Sequence, residues 1–225
     1  MLERLSEAFK IQRQFTENAA HELRTPLSLM QIQLDLYNSG KHPGNDADTI
    51  QTIKMLTEQN ERLSKMVKTL LDMSELQTVG RDDEIMVDAL VDEVLADLDP
   101  LAQEKNIKLT GKCKNITMVG SDILIYRLVY NLVENAIKYN HSGGQVTVTA
   151  YQKEKHVYLS VEDTGNGIPE ELRERVFEPF FRVDKSRSRE LGGVGLGLAL
   201  VHEIVRVHDG SITCLLYTSP SPREP

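Results

Sequence analysis

Residues 53–70 read IKMLTEQNERLSKMVKTL, and this stretch decides the fold of the N-terminal half. Apolar residues and one asparagine alternate here at spacings of three and four, which is typical of the a and d positions of a coiled coil. The positions are Ile53, Leu56, Asn60, Leu63, Val67 and Leu70. The spacing predicts a helix from about Ala47 to Leu76.

A preceding helix is predicted from Leu2 to about Asn38, because apolar residues recur there at the same spacings. Between the two helices, residues 39–46 combine Gly, Pro and Asn, which end helices and form turns. We therefore expect an antiparallel helical hairpin. One hairpin leaves apolar surface along its seam, so we expect a homodimer whose two hairpins form a four-helix bundle.

The pattern changes after Gly80 to short β-rich runs separated by helical stretches. The expected strands are 84–87, 107–109, 116–119, 145–151 and 156–162. The expected helices are 88–104, 123–139, 170–177 and 196–208. This order predicts an α+β two-layer sandwich with its helices on one face of a mixed sheet.

The composition excludes several functional classes. The 225 residues are 40% hydrophobic and 27% charged, which is usual for folded chains of one or two domains. A net charge of −8 and an aromatic content of 5% argue against a nucleic-acid binder. No run approaches the roughly 20 apolar residues that cross a bilayer, and two cysteines are too few for a disulfide framework.

The first motif that indicates chemistry is HELRTP, residues 21–26 of the first helix. At about 100° per residue, His21 lies well away from the apolar positions two residues to either side, so its imidazole is expected to face water. Glu22 can fix the imidazole tautomer and raise the basicity of the free nitrogen. Pro26 permits a bend. An ordinary surface histidine would have the same pattern.

A second motif is NLVENAIKY, residues 131–139. Asn131, Asn135 and Lys138 fall at i, i+4 and i+7, which places them on one stripe of a helix. Carboxamide oxygens suit Mg²⁺, and a lysine suits the phosphates that Mg²⁺ neutralises. A solvated helix face is the alternative.

Two glycine motifs follow, DTGNGIP at 163–169 and GGVGLG at 192–197. Asp163 at a strand end can accept a hydrogen bond from an exocyclic amine, and the glycines allow backbone to approach a planar ring. The second motif opens a helix whose N-terminal amides can bind phosphate. Between them lie FEPFFR at 177–182 and the polar run 185–189, which predicts a mobile lid between the aromatic residues and the glycines, with arginine and lysine available to phosphates. A turn and a solvated loop are the alternatives.

In this order the motifs resemble the H, N, first glycine, F and second glycine boxes of bacterial two-component sensor histidine kinases. The resemblance covers residues 1–213 and implies a dimerisation and phosphoacceptor hairpin (1–78) and an ATP-binding domain of the gyrase, Hsp90, histidine kinase and MutL type (79–213). It departs at Val194, where many members have threonine. We also expect a closing strand after 211–213 to be missing, and residues 214–225 resemble a translated sequencing adapter.

The resemblance implies that His21 accepts the γ-phosphoryl group of ATP and passes it to an aspartate on the receiver domain of a response regulator. Glu22 is the expected base, and Thr25 is expected to orient a water for a phosphatase activity. Mg²⁺ is expected on Asn135 with help from Asn131. The expected nucleotide-binding residues are Asn131, Asn135, Lys138, Tyr139, Asp163, Gly165, Gly167, Gly193, Gly195 and Gly197.

The resemblance further implies a hinge near 78–83 and a cytoplasmic location, with attachment to an inner membrane only through segments upstream of this sequence. Two alternatives stay open. The second domain could be a conformational ATPase that forms no phosphoenzyme, or the hairpin could be a dimer scaffold beside a degenerate nucleotide site.

Overall fold

The computed structural model describes residues 2–38, 46–113, 115–183 and 193–215. Its elements are α1 (Leu2–Asn38), α2 (Asp46–Glu75), β1 (Asp83–Met86), α3 (Val87–Glu104), β2 (Lys108–Lys112), β3 (Thr117–Gly120), α4 (Asp122–Lys138), β4 (Gln145–Lys153), β5 (His156–Asp163) and α5 (Gly197–Val207). Two long helices thus precede an α/β unit, as predicted. Three expected features lie outside the described residues: the turn at 39–45, the lid at 185–189 and most of the tail at 214–225.

The N-terminal half consists of α1 and α2, which pack against each other. Their observed bounds differ from the predicted ones by at most one residue. Within the described ranges, no helix combines the length and the apolar character that crossing a bilayer requires.

The second unit contains the expected mixed sheet. β4 is its central strand, with β2 parallel on one side and β5 antiparallel on the other. β1 and β3 form a separate antiparallel ribbon in which Asp83 pairs with Gly120 and Met86 pairs with Thr117. The five predicted strands therefore exist, but they are divided between two sheets.

The core of the second unit lies between the sheet and the helices α3, α4 and α5. Its fully buried members include Val91, Val94, Val129, Val133, Ile137, Val146, Val148, Val201 and Ile204. Burying each such side chain contributes about 1.5 to 3 kcal/mol. Leu76, directly after α2, is 2% exposed and belongs to the same core, so the end of α2 is anchored in the second unit.

The predicted helix over 170–177 is wrong. The chain forms two short 3-10 turns there, Glu170–Leu172 and Arg175–Phe177. Hydrogen bonds span three residues, as from the Leu172 amide to the Pro169 carbonyl (3.0 Å) and from the Glu178 amide to the Arg175 carbonyl (2.9 Å). In this segment only Val176 is buried, so too little apolar surface is available to support a longer α-helix.

Candidate functional site

His21 lies on α1 with its side chain exposed, as the helical spacing predicts. Thr25 is one turn further along the helix and is also exposed. Its hydroxyl donates a hydrogen bond to the His21 carbonyl oxygen (3.2 Å). His21 and Thr25 therefore lie on the same exposed face of α1, and Arg24 of this motif is exposed as well.

Glu22, the neighbour of His21, contacts two arginines. Its Oε2 lies 2.6 Å from Nη2 of Arg182 and 3.4 Å from Nη2 of Arg62 on α2. The Arg182 side chain is only 6% exposed. The expected base is thus held in ion pairs in this arrangement, and the second unit contacts α1 directly beside His21.

An apolar cluster also joins the hairpin to the second unit. Its buried members are Met66 of α2 and Val194 and Leu196 of the second glycine motif. The partly buried members are Phe15, Leu23, Leu70, Met73 and Phe180. We call these eight residues the docking cluster, because they join the helical hairpin to the F and second glycine motifs.

The polar stripe of α4 faces the start of α5. Asn131 donates through Nδ2 to the Arg127 carbonyl oxygen (2.7 Å). A Cβ atom built on Gly197 would lie 3.0 Å from Asn131 Oδ1 and 3.7 Å from Asn135 Nδ2. The structure therefore brings the N motif and the second glycine motif together, with backbone close to both carboxamides.

Lys138, expected to hold phosphate, is paired with a carboxylate. Its Nζ lies 2.8 Å from Oε1 of Glu134, and Nζ of Lys65 on α2 lies 2.9 Å from the same oxygen. Burial acts to raise the pKa of Glu134, but the two lysines hold it below its ordinary value. Burial also lowers the pKa of Lys138. Sequence reasoning missed Glu134, although it lies inside the quoted motif.

The first glycine motif packs against the end of α4. Asp163, the last residue of β5, accepts a hydrogen bond at Oδ1 from the Gly165 amide (2.7 Å). A Cβ atom on Gly165 would lie 2.6 Å from the Tyr139 carbonyl oxygen and 3.2 Å from Asn140 Cα. Only glycine allows this approach. The Tyr139 side chain is 37% exposed.

Asn140, which sequence reasoning missed, holds this arrangement in place. It is 8% exposed. Its Nδ2 donates to the Gln145 carbonyl oxygen (3.1 Å), and its Oδ1 accepts from the Thr164 hydroxyl (3.1 Å) and the His141 amide (3.0 Å). The sequence offered two signals for this contact: Asn140 is a polar residue directly after the N motif, and Thr164 is a hydroxyl-bearing residue inside the first glycine motif.

The remaining glycines shape the same region. Gly195 has φ +79° and Gly167 has φ +66°, both left-handed conformations that favour glycine. The Gly195 carbonyl accepts a hydrogen bond from the Phe180 amide (2.8 Å), which links the second glycine motif to the F motif. Gly193 is half-buried at the start of that motif.

The donor set around α4 fits Mg²⁺. Among the described residues there is no group of three His, Cys, Asp or Glu side chains that could hold a metal. Since Nδ2 of Asn131 donates to the Arg127 carbonyl, its acceptor atom Oδ1 lies on the Gly197 side. Magnesium in nucleotide sites takes few protein oxygens and several phosphate oxygens and waters, which one or two carboxamides can complement.

Two family models match the chain. One, described as His Kinase A (phospho-acceptor) domain, matches residues 11–79. The other, described as Histidine kinase-, DNA gyrase B-, and HSP90-like ATPase, matches residues 120–224.

Curated relatives agree with these matches. Sensor histidine kinase RppB of Synechocystis sp. is 36% identical over 92% of this chain and 46% of its own length. Sensor-like histidine kinase SenX3 of Mycolicibacterium smegmatis is 35% identical over 89% of this chain and 53% of its own length. The chain thus spans about half the length of the curated relatives it matches.

Solved structures have the same architecture. Histidine kinase AdeS of Acinetobacter baumannii superimposes with a TM-score of 0.66 at 25% identity, covering 83% of this chain and 86% of its own. Histidine kinase ThkA, solved in complex with response regulator protein TrrA, gives a TM-score of 0.71 at 25% identity, covering 91% and 57%.

Proposed function

Because this chain belongs to the sensor histidine kinases of two-component signal transduction, we propose that His21 is the residue that accepts the γ-phosphoryl group of ATP. The observation that supports this most is the contact beside His21. Arg182 of the second unit lies 2.6 Å from Glu22, while the neighbouring imidazole is exposed. The ATP-binding unit therefore reaches the part of α1 that carries the proposed acceptor.

The reaction is an in-line displacement at phosphorus. A nitrogen of the neutral His21 imidazole forms a bond to the γ-phosphorus while the bond to the leaving ADP oxygen breaks. The imidazole proton passes to a base, and Glu22 fills this role once its carboxylate leaves Arg182 and Arg62. Phosphoryl transfer depends mainly on positioning and charge neutralisation, so most of the remaining residues bind nucleotide.

The nucleotide-binding residues surround α4 and the two glycine motifs. Asp163 accepts from the adenine amine, and Gly165 and Gly167 allow the ring to approach. Lys138 and the amides of residues 193–197 hold phosphates. Asn135, with Asn131, holds Mg²⁺, which neutralises phosphate charge, and Tyr139 borders the adenine at the end of α4.

A response regulator is the proposed acceptor of the phosphoryl group from His21. The support is that ThkA was solved in complex with a response regulator protein. Thr25, exposed one turn after His21, is suited to orient a water that removes phosphate from that partner. This second reaction would make the chain a phosphatase as well as a kinase.

The hairpin is proposed to form a homodimer. In the single chain, Ile53 is 58% exposed and Val67 is 45% exposed, although both occupy the predicted seam. Leu27, Leu29, Ile32, Leu34, Leu36 and Leu71 are also at least 40% exposed. A second hairpin would cover these side chains. Membrane attachment through upstream segments stays a prediction, as do the domain boundary at residue 78 and the foreign origin of residues 214–225.

Incubation with γ-labelled ATP tests the kinase proposal. We expect label on the protein that survives alkali, is lost in acid and is absent from His21→Ala. His156→Ala, which removes another exposed histidine, serves as the matched control and should label normally. Release of phosphate without protein label would support the conformational ATPase instead. Failure to bind nucleotide, with Asn135→Asp indistinguishable from the parent chain, would support the degenerate site.

A further inference from the structure

Two salt bridges join α2 of the hairpin to α4 of the ATP-binding unit. Arg127 Nη1 lies 2.7 Å from Asp72 Oδ1, and Lys65 Nζ lies 2.9 Å from Glu134 Oε1. The bridges are seven residues, about two turns, apart on each helix, and the order of the residues is opposite. The two helices therefore run antiparallel where these long side chains join them.

Only the Lys65 bridge shares its carboxylate with the ammonium of a residue assigned to phosphate, whereas Arg127 of the other bridge contacts the site through its backbone carbonyl, which accepts from Asn131 Nδ2. Glu134 is shared, because its Oε1 also lies 2.8 Å from Lys138 Nζ. The Glu134 and Lys138 side chains are 13% and 19% exposed, whereas Lys65 is 54% exposed. A carboxylate this buried is costly to leave without a cation. If the Lys138 ammonium leaves Glu134 to bind a phosphate, the buried carboxylate loses its cation at a cost in free energy, unless another cation remains beside it.

Lys65 is such a cation. When α2 contacts α4, Lys65 pairs with Glu134 and changes the local charge. Without Lys65, Glu134 and Lys138 form a neutral pair. With Lys65 in place, the three side chains carry one net positive charge. Burial lowers the pKa of Lys138, and the charge of Lys65 lowers it further. Both effects mean that an additional anion beside Lys138 is favourable when α2 is in contact.

We propose that Lys65 is a positioning residue for nucleotide binding: by pairing with Glu134 when the ATP-binding unit contacts α2, it frees the Lys138 ammonium for a phosphate of the nucleotide. The proposal rests on the nucleotide role assigned to Lys138 above. It adds that nucleotide binding and contact with the hairpin are coupled. By linkage, a nucleotide that uses Lys138 must in turn strengthen the contact between α2 and α4.

The test measures the affinity of the full chain for a non-hydrolysable ATP analogue with Mg²⁺. Lys65→Gln should weaken binding about fivefold, the upper end for a partly exposed ion pair. Lys65→Arg keeps the positive charge and should restore binding. The matched control is Asp72→Asn, which removes the other bridge of the same contact and should weaken binding clearly less than Lys65→Gln.

The decisive comparison measures the effect of Lys65→Gln on affinity in the parent chain and in the Glu134→Gln variant. Glu134→Gln removes the carboxylate that competes for Lys138, so Lys65→Gln should have a clearly smaller effect on affinity in that variant, limited to the loss of the Lys65 charge. Thermal denaturation of each variant confirms that the chain remains folded. A merely structural role for Lys65 would lower the melting temperature but would not make its effect on affinity depend on Glu134.

Three results would overturn the proposal. They are an unchanged affinity in Lys65→Gln, an equal loss in Asp72→Asn, and a full Lys65→Gln effect in the Glu134→Gln background. Each of these leaves the kinase proposal standing if His21 is still labelled from ATP. A parent chain that binds no nucleotide would instead refute the proposed function, and this inference with it.

Discussion

Replacing Gly195 with alanine tests how closely the second glycine motif approaches the F motif. Gly195 has φ +79°, and a Cβ atom there would lie 2.6 Å from the Phe181 carbonyl oxygen and 2.8 Å from the Phe180 carbonyl carbon. A left-handed alanine costs about 1 to 2 kcal/mol. Overlap with backbone, which cannot rotate away, adds about 1 to 3 kcal/mol. We expect Gly195→Ala to lose about 2 to 5 kcal/mol of stability in this region.

Gly143 provides a matched control for the conformational part of that cost. Its φ is +80°, but nothing lies within 4 Å of its Cβ position. Gly143→Ala should therefore lose only the cost of the left-handed conformation, about 1 to 2 kcal/mol. The difference between the two variants measures the overlap with Phe180 and Phe181.

Urea denaturation of both variants supplies the two free energies, and titration with a non-hydrolysable ATP analogue supplies the consequence for the site. Because the amides of residues 193–197 are proposed to hold phosphates, Gly195→Ala should weaken nucleotide binding at least about tenfold, equivalent to about 1.4 kcal/mol. Gly143→Ala should bind as the parent chain does. Equal destabilisation by the two alanines, or normal binding by Gly195→Ala, would refute the close approach.

Three further predictions concern other contacts. Asn140→Ala removes the Asn140 hydrogen bonds of the Gln145 carbonyl, the Thr164 hydroxyl and the His141 amide and should lower the free energy of unfolding by about 1 to 3 kcal/mol; an unchanged urea midpoint would contradict this. Arg182→Met removes the shorter ion pair of Glu22 and should loosen the contact beside His21 while the docking cluster still joins the two units; faster hydrogen exchange of the α1 amides around Glu22 is the expected signal, and unchanged exchange would count against the contact. Burial, with the hydrogen bond and charge of Asp97, raises the pKa of Tyr126. Tyr126 therefore keeps its proton to a higher pH in the folded chain than in the unfolded chain. The free energy of unfolding should fall as the pH rises above about 10, the ordinary pKa of tyrosine. Tyr126→Phe should make that fall shallower, and an identical pH profile would be the contrary result.

Local periodicity predicted most of the architecture. The alternating three- and four-residue spacing continues through α2, so its ends are predicted to within one residue. The strands of the mixed sheet were recognised from β-rich runs, but their division into two sheets depends on which strands pair. The prediction of a helix over 170–177 was wrong because the charged residues of this segment are compatible with a helix. That only Val176 of the segment is buried becomes visible only in the fold.

The candidate site was predicted in parts. Asn131, Asn135 and Asp163 stand where their motifs predict, because each motif is a local pattern on one element. The ion pairs of Glu134 and Glu22 could not be predicted from the sequence, for a different reason. Their partners Lys65 and Arg182 are 69 and 160 positions away in sequence, so these ion pairs exist only once the two units pack together.

The burial of Leu76 determines how motion travels through the molecule. Leu76 follows the last residue of α2 directly and is 2% exposed in the core of the second unit. No flexible residue separates the end of α2 from this buried side chain. With 30 residues, α2 is about 45 Å long. A rotation of its far end would be transmitted along the helix to the core of the second unit, because Leu76 is buried there. The predicted hinge near 78–83 can therefore turn the second unit relative to α2 only if Leu76 first leaves this core.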